Sequence, residues 1–124
     1  MAVRRQVLGA EYTEASLARR TDFNTPFFDY VTRSVWGEVW ARDGLDRRTR
    51  SCITLAILTA LGCEDEVALH TEVAVRNGLT PTEISEVLLH SAAYAGVPRA
   101  RGAMLVAEEV LDRLEQTEQP AIVE

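Results

Sequence analysis

The sequence predicts an all-α protein: a bundle of five or six helices, joined by short links, in a single domain over 1–124. Three observations predict it. Apolar residues recur at helical spacing through most of the chain, glycines and prolines stand where such runs end or begin, and no stretch alternates apolar with polar residues between hairpin turns. With 124 residues, 47% of them hydrophobic, there is material for one core and too little length for two ordinary domains.

Residues 1–21 read as an N-terminal arm or short helix. Arg4 and Arg5 open it, but the apolar stretch behind them meets Glu11 and Glu14 too soon for a secretory leader. "TPFFDYVTRSVWGEVWARDG" then carries Phe27, Tyr30, Val31, Val35 and Trp36 on one stripe. Over 46–61, Ile53, Ala56, Ile57, Ala60 and Leu61 recur at helical spacing behind Asp46, whose carboxylate can cap the start; this helix is expected to be the most buried. A further helix runs from Glu64. "TPTE" at 80–83 is a start signal, with Thr80 as N-cap, Pro81 at the first helical position and Glu83 placed to reach back, so a helix over 81–94 follows. "RARGAMLVAEEVLDRLEQ" sets Met104, Leu105, Ala107, Glu108, Leu111 and Leu114 on a closing helix, and 117–124 are expected to be a frayed tail. So many helices in so short a chain leave an apolar face uncovered, which points to a homo-oligomer.

Composition narrows function. Thirteen basic residues against nineteen acidic, a net charge of −6, argue against a nucleic-acid partner, whose phosphates need an excess of cations. All the cations are arginine, so imine chemistry on a lysine is excluded, and planar guanidinium groups suited to carboxylates take its place. The longest apolar run, "CITLAILTALGC", is twelve letters and contains threonines; it reads as a buried helix rather than a membrane span, and a cytoplasmic protein is expected. Cys52 and Cys63 on one helix would lie roughly 16 Å apart, too far for a disulfide.

Three constellations could carry chemistry. Glu66 and His70 are four residues apart on one helix face, with Cys63 just before the first turn on the same side. That trio lacks a fourth ligand for a metal, and the second place of a C-x-x-C redox pair is held by Glu66. His90 and Tyr94 form a second pair at the same spacing. "WGEVWARDGLDRRTRS" gathers Trp36, Trp40, Arg42, Arg48, Arg50 and Ser51, aromatic and arginine side chains that can line a pocket for a planar carboxylate-bearing ligand. Solvated helix faces would account for each constellation taken singly.

The segments "WGEVWARDGLDRRTRS", "LTALGCEDEVALH" and "NGLTPTEISEVLLHSAAYAGVPRA" closely resemble the γ-carboxymuconolactone decarboxylases, in the same order and spacing, from about Asp22 to Glu109. The resemblance implies an alkylhydroperoxidase-like helical fold, a ring of three or six subunits, and a lyase without metal or organic cofactor. Its reaction would turn γ-carboxymuconolactone, a dicarboxylate lactone, into β-ketoadipate enol-lactone and carbon dioxide in protocatechuate degradation. Peroxidase relatives in the wider superfamily carry two cysteines and a histidine; here Cys63 matches the first cysteine, Glu66 the second and His70 the histidine, while their proton-relay glutamate falls at Ser51. Thiol-dependent peroxidase activity and a non-catalytic oligomeric relative are the alternatives.

Decarboxylation of such a lactone needs a carboxylate grip, a donor to the developing oxyanion and an acid for the ring carbon. The expected assignments are Arg50, with Arg48 or Arg42 as substitutes, for the grip, and Ser51 or Tyr94 for the oxyanion. His70 is the expected carbon acid, oriented or recharged by Glu66. Trp36 and Trp40 would form the apolar wall, and His90 is either a boundary residue or a second acid.

Overall fold

The computed structural model describes residues 1–118. Among these there are seven α-helices and one π-helical segment, and no strand: α1 Ala2–Leu8, α2 Ala10–Ala18, α3 Thr25–Val31, the π-helical Thr32–Val39, α4 Arg47–Leu61, α5 Glu64–Arg76, α6 Pro81–Ala95 and α7 Val97–Glu118. The all-helical expectation therefore holds, with more helices than the five or six anticipated. The expected arm over 1–21 is a pair of short helices, and of the expected tail Thr117 and Glu118 are helical while 119–124 lie outside the described residues. The chain forms two compact units, Met1–Arg50 and the part from Ser51 onward.

In the first unit, Pro26 opens α3, and a reciprocal pair of hydrogen bonds between Thr21 and Asn24 turns the chain into it. The helix then continues into the π-helical segment, where the Trp40 backbone N–H donates to the Val35 carbonyl, five residues back, at 2.9 Å. That widened turn lies between Trp36 and Trp40, which are both buried and stack on each other. Phe27 and Tyr30, expected on a core-facing stripe, are instead 63% and 58% exposed, and with Phe23, 96% exposed, they make an aromatic surface larger than isolated apolar residues provide.

In the second unit, Leu55, Val67, Ala74, Leu79, Ile84, Leu88, Ala103 and Ala107 form one core cluster. Each fully buried Leu, Ile or Val there contributes about 1.5–3 kcal/mol relative to exposure. Thr80 and Glu83 make the anticipated capping box in full: the Glu83 N–H donates to Thr80 Oγ1 at 3.1 Å and the Thr80 N–H to Glu83 Oε1 at 2.9 Å.

α4 corrects the sequence reading. It buries Ser51, Leu55 and Thr59, whereas Ile53, Ile57 and Leu61 are 42%, 51% and 65% exposed. Two stripes at four-residue spacing run along this helix, and the one facing the core holds two hydroxyls. Thr59 makes this tolerable by donating to the Leu55 carbonyl at 2.7 Å. The helix expected to be most buried is consequently surpassed by α5, which buries Val67, His70, Thr71, Val73 and Ala74.

Candidate active site

α5 starts from a turn that only glycine fits. Gly62 has φ 73°, and the Arg99 side chain lies where a Cβ would project, donating to the Leu61 carbonyl at 3.2 Å. Cys63 follows as the half-buried N-cap, and Glu64, Asp65 and Glu66 fill the first turn, where carboxylates complement the positive end of the helix. Glu66 is exposed, and no hydrogen bond or ion pair joins it to His70. The first-turn position gives that carboxylate a favourable place in water.

His70, one turn further on, is 8% exposed, and its Nδ1 is buried with no hydrogen-bond partner. Burial pushes the imidazole down to about 4, because a charged ring would lose its hydration. Near pH 7 only roughly one molecule in a thousand would carry that proton. The ring lies on the buried face of α5, with Val67, Thr71, Val73 and Ala74.

Seven residues beyond His70, and so on the same face about 10 Å along the axis, stands Asn77, the C-cap of α5. Its Nδ2 donates to Ser51 Oγ at 2.9 Å, tying the start of α4 to the end of α5. Ser51 is almost fully buried, and by accepting from Asn77 it keeps its own hydroxyl proton to donate. Asn77 had no place among the sequence candidates. Its only signal was the Asn-Gly pair ending a helical run, which reads as a terminus rather than as a partner for Ser51.

His90 and Tyr94 stack on α6, ring centroids 5.1 Å apart with planes at 29°, and both are exposed, Tyr94 by 84%. They are brought together with each other and with none of the α5 candidates.

The remaining candidates belong to the first unit. Trp36 and Trp40 are each 6% exposed with centroids 5.6 Å apart at 31°, so their faces are engaged with one another. Arg50 is half-buried and its Nη2 reaches the Arg42 carbonyl at 3.5 Å, which brings those two candidates together; Arg42 and Arg48 are exposed. Asp46 caps α4 as expected, accepting from the Thr49 N–H at 2.7 Å.

Two hollows in the second unit are not suited to a dicarboxylate. One, of about 450 Å³ at the start of α5, is lined by Gly62, Cys63, Glu64, Asp65 and Glu66, three acids that repel an anion. The other, about 520 Å³ between α6 and α7, is apolar at its base with Glu108, Asp112 and Glu115 around it, and contains none of the candidate residues. Among the described residues no three His, Cys, Asp or Glu side chains gather as metal ligands do, and no helix is long and apolar enough to cross a membrane.

The described residues thus make a helical protein with a buried imidazole on α5 and a buried serine held by Asn77 at the end of the same helix. Comparison with known proteins places it. Residues 25–109 match the model of the carboxymuconolactone decarboxylase family. The 4-carboxymuconolactone decarboxylase of Acinetobacter baylyi is 46% identical over 92% of this chain and 85% of its own. The nitrosuccinic acid decarboxylase of Metarhizium robertsii is 42% identical over 89% of this chain and 77% of its own. The chain belongs to the carboxymuconolactone decarboxylase family.

Proposed function

We propose that this chain is a carboxy-lyase that converts 4-carboxymuconolactone to β-ketoadipate enol-lactone and carbon dioxide in protocatechuate degradation, acting in the cytoplasm, where its two cysteines, which form no disulfide, stay reduced. The observation that carries this reading is the near full-length similarity to a relative of that name, with the buried His70 as the candidate acid. The names of both relatives describe decarboxylation of a dicarboxylic acid.

In the proposed reaction the bond between ring carbon and carboxylate breaks, carbon dioxide leaves, and the electron pair passes through the ring double bond onto the lactone oxygen. His70 then gives a proton to ring carbon and is reprotonated from water. Because the free imidazole is neutral near pH 7, the proton must arrive with the substrate: a dianion beside the ring favours imidazolium and raises its pKa. Ser51 supplies the hydrogen bond to the lactone oxygen and Arg50 grips the spectator carboxylate. Glu66, exposed in the first turn, serves at most to pass protons from water.

The same reading includes a single functional domain, supported by a family match that runs through both compact units, and a homo-oligomer of three or six subunits. The exposed Ile53, Ile57 and Leu61 stripe and the exposed Phe23, Phe27 and Tyr30 stripe supply apolar surface for subunit contacts. Purified protein mixed with 4-carboxymuconolactone should release carbon dioxide stoichiometrically, and light scattering of the same sample should give three or six times the chain mass. Turnover of a hydroperoxide with a thiol reductant, without carbon dioxide release, would overturn the proposal.

A further inference from the structure

Buried hydroxyls in the second unit have local partners. Thr59, Thr71 and Ser91 donate to the carbonyls of Leu55, Val67 and Val87, four residues back, at 2.7, 2.7 and 2.8 Å, and Ser51 is held by Asn77.

The first unit departs from that pattern. Arg4 is 3% exposed, yet its guanidinium donates only to hydroxyls: to Ser16 Oγ at 2.7 Å and Thr32 Oγ1 at 3.3 Å. Its Nε is buried with no acceptor. Among the described residues no carboxylate neutralises it, since Glu14 pairs with Arg5 and Asp29 with Arg20, each at 2.6 Å. Thr13, one turn before Ser16 on the same face of α2, is fully buried and its hydroxyl has no partner.

Ser16 and Thr32 accept from the guanidinium, so their own protons remain to be given. Together with the buried Thr13 hydroxyl and Arg4 Nε–H, which have no acceptor, the half-buried Ser16 and Thr32 hydroxyls make four donors from three helical segments. A buried cation left in that condition is unfavourable, and an anion hydrogen-bonded by these donors removes the cost. Burial, and then the charge of Arg20, already hold the Arg4 pKa below its ordinary value, consistent with a cation that lacks a counter-ion.

We propose that Arg4, with the hydroxyls of Thr13, Ser16 and Thr32, is a receptor for a small carboxylate anion, built by the first unit from its own residues. Two planar oxygens suit a guanidinium edge flanked by hydroxyls better than a bulkier tetrahedral phosphate does. The carboxylate can be one borne by the substrate or that of a separate metabolite. The site goes beyond the proposed reaction and stands without it.

The test is thermal melting of the full chain in sodium succinate, sodium phosphate and sodium chloride at matched ionic strength. Succinate should raise the midpoint by several degrees and saturate, as ligand binding to the folded state requires, with little effect from the other two salts. Arg4→Met should abolish the shift. Thr13→Val, which keeps the shape and removes the unpartnered hydroxyl, should weaken the shift while leaving the basal midpoint unchanged or higher. If Arg4→Met does not fold, Arg4→Lys and Thr13→Val decide. Equal shifts in all three salts, or a succinate shift kept by both Thr13→Val and an Arg4 variant, would overturn the site. His70→Gln should keep the full shift; loss there but not in the Arg4 variants would reassign the anion to the proposed catalytic histidine and overturn it as well. Competition separates the sources: lactone substrate that displaces succinate places its own carboxylate at Arg4, and lactone without effect on the shift assigns a separate carboxylate metabolite.

Discussion

At the scale of single residues, the proposed chemistry rests on where two polar groups, His70 and Ser51, are buried. His70 was legible as a candidate because it lies four residues after Glu66, but the spacing that revealed it suggested a partnership the fold does not make. A shared helix face guarantees proximity of Cβ atoms, not a hydrogen bond, and a first-turn carboxylate has a competing reason to stay in water. Ser51 was legible from its place beside the arginines, whereas Asn77, which holds it at 2.9 Å, was not, because the contact spans 26 positions and no local pattern encodes it. Arg4 and Arg5 were indistinguishable in sequence; one is buried among hydroxyls and the other pairs with Glu14 at the surface. At this scale we expect Arg50→Ala to raise KM tenfold or more while kcat changes little, as loss of a grip equal in ground and transition states requires. A normal KM in steady-state kinetics would remove Arg50 from the site.

At the scale of elements, boundaries written in capping chemistry were read correctly, and faces written in apolar spacing only in part: Met104, Ala107 and Leu111 of α7 do pack in the core. Thr80 with Glu83, and Asp46 with Thr49, form the hydrogen bonds that their positions announced. The α4 stripe of Ile53, Ile57 and Leu61 misled because apolar residues were assumed to face the chain's own core, and here they face outward. Such a stripe has the same period whether it covers its own core or a neighbouring subunit. The π-helical segment before Trp40 was also illegible, since a single widened turn barely alters a pattern read over two or three turns. Thr80→Ala should destabilise the protein by about 1 kcal/mol through loss of the α6 cap, measured by urea unfolding, with kcat unaffected. A neutral substitution would show that α6 is held by packing alone.

At the scale of the whole molecule, the buried imidazole couples folding to pH. Its folded pKa, about 4, lies below the ordinary 6.5, so on acidification the unfolded chain takes up a proton that the folded chain refuses. Stability should therefore be level above about pH 7, fall as the pH drops from 6.5 towards 4, and level off below that, a loss of roughly 3 kcal/mol in all. Asp46 acts in the same direction over a lower range: its pKa is lowered by the hydrogen bonds from Thr49, so its contribution is lost only at still lower pH. The window between 6.5 and 4.5 thus isolates His70, and urea unfolding of His70→Gln should lack the slope seen in the native chain there. The proposed reaction extends the same coupling to turnover, and the most direct measurement is the pH dependence of carbon dioxide release by the native protein and by His70→Gln. For the native protein kcat/KM should fall about tenfold per pH unit across the neutral range, since the free imidazole is mostly unprotonated, while kcat holds to a higher pH set by the substrate-bound state. His70→Gln should lose about a hundredfold or more in kcat together with that pH dependence; a variant that kept both the native rate and the native profile would contradict proton delivery by this histidine.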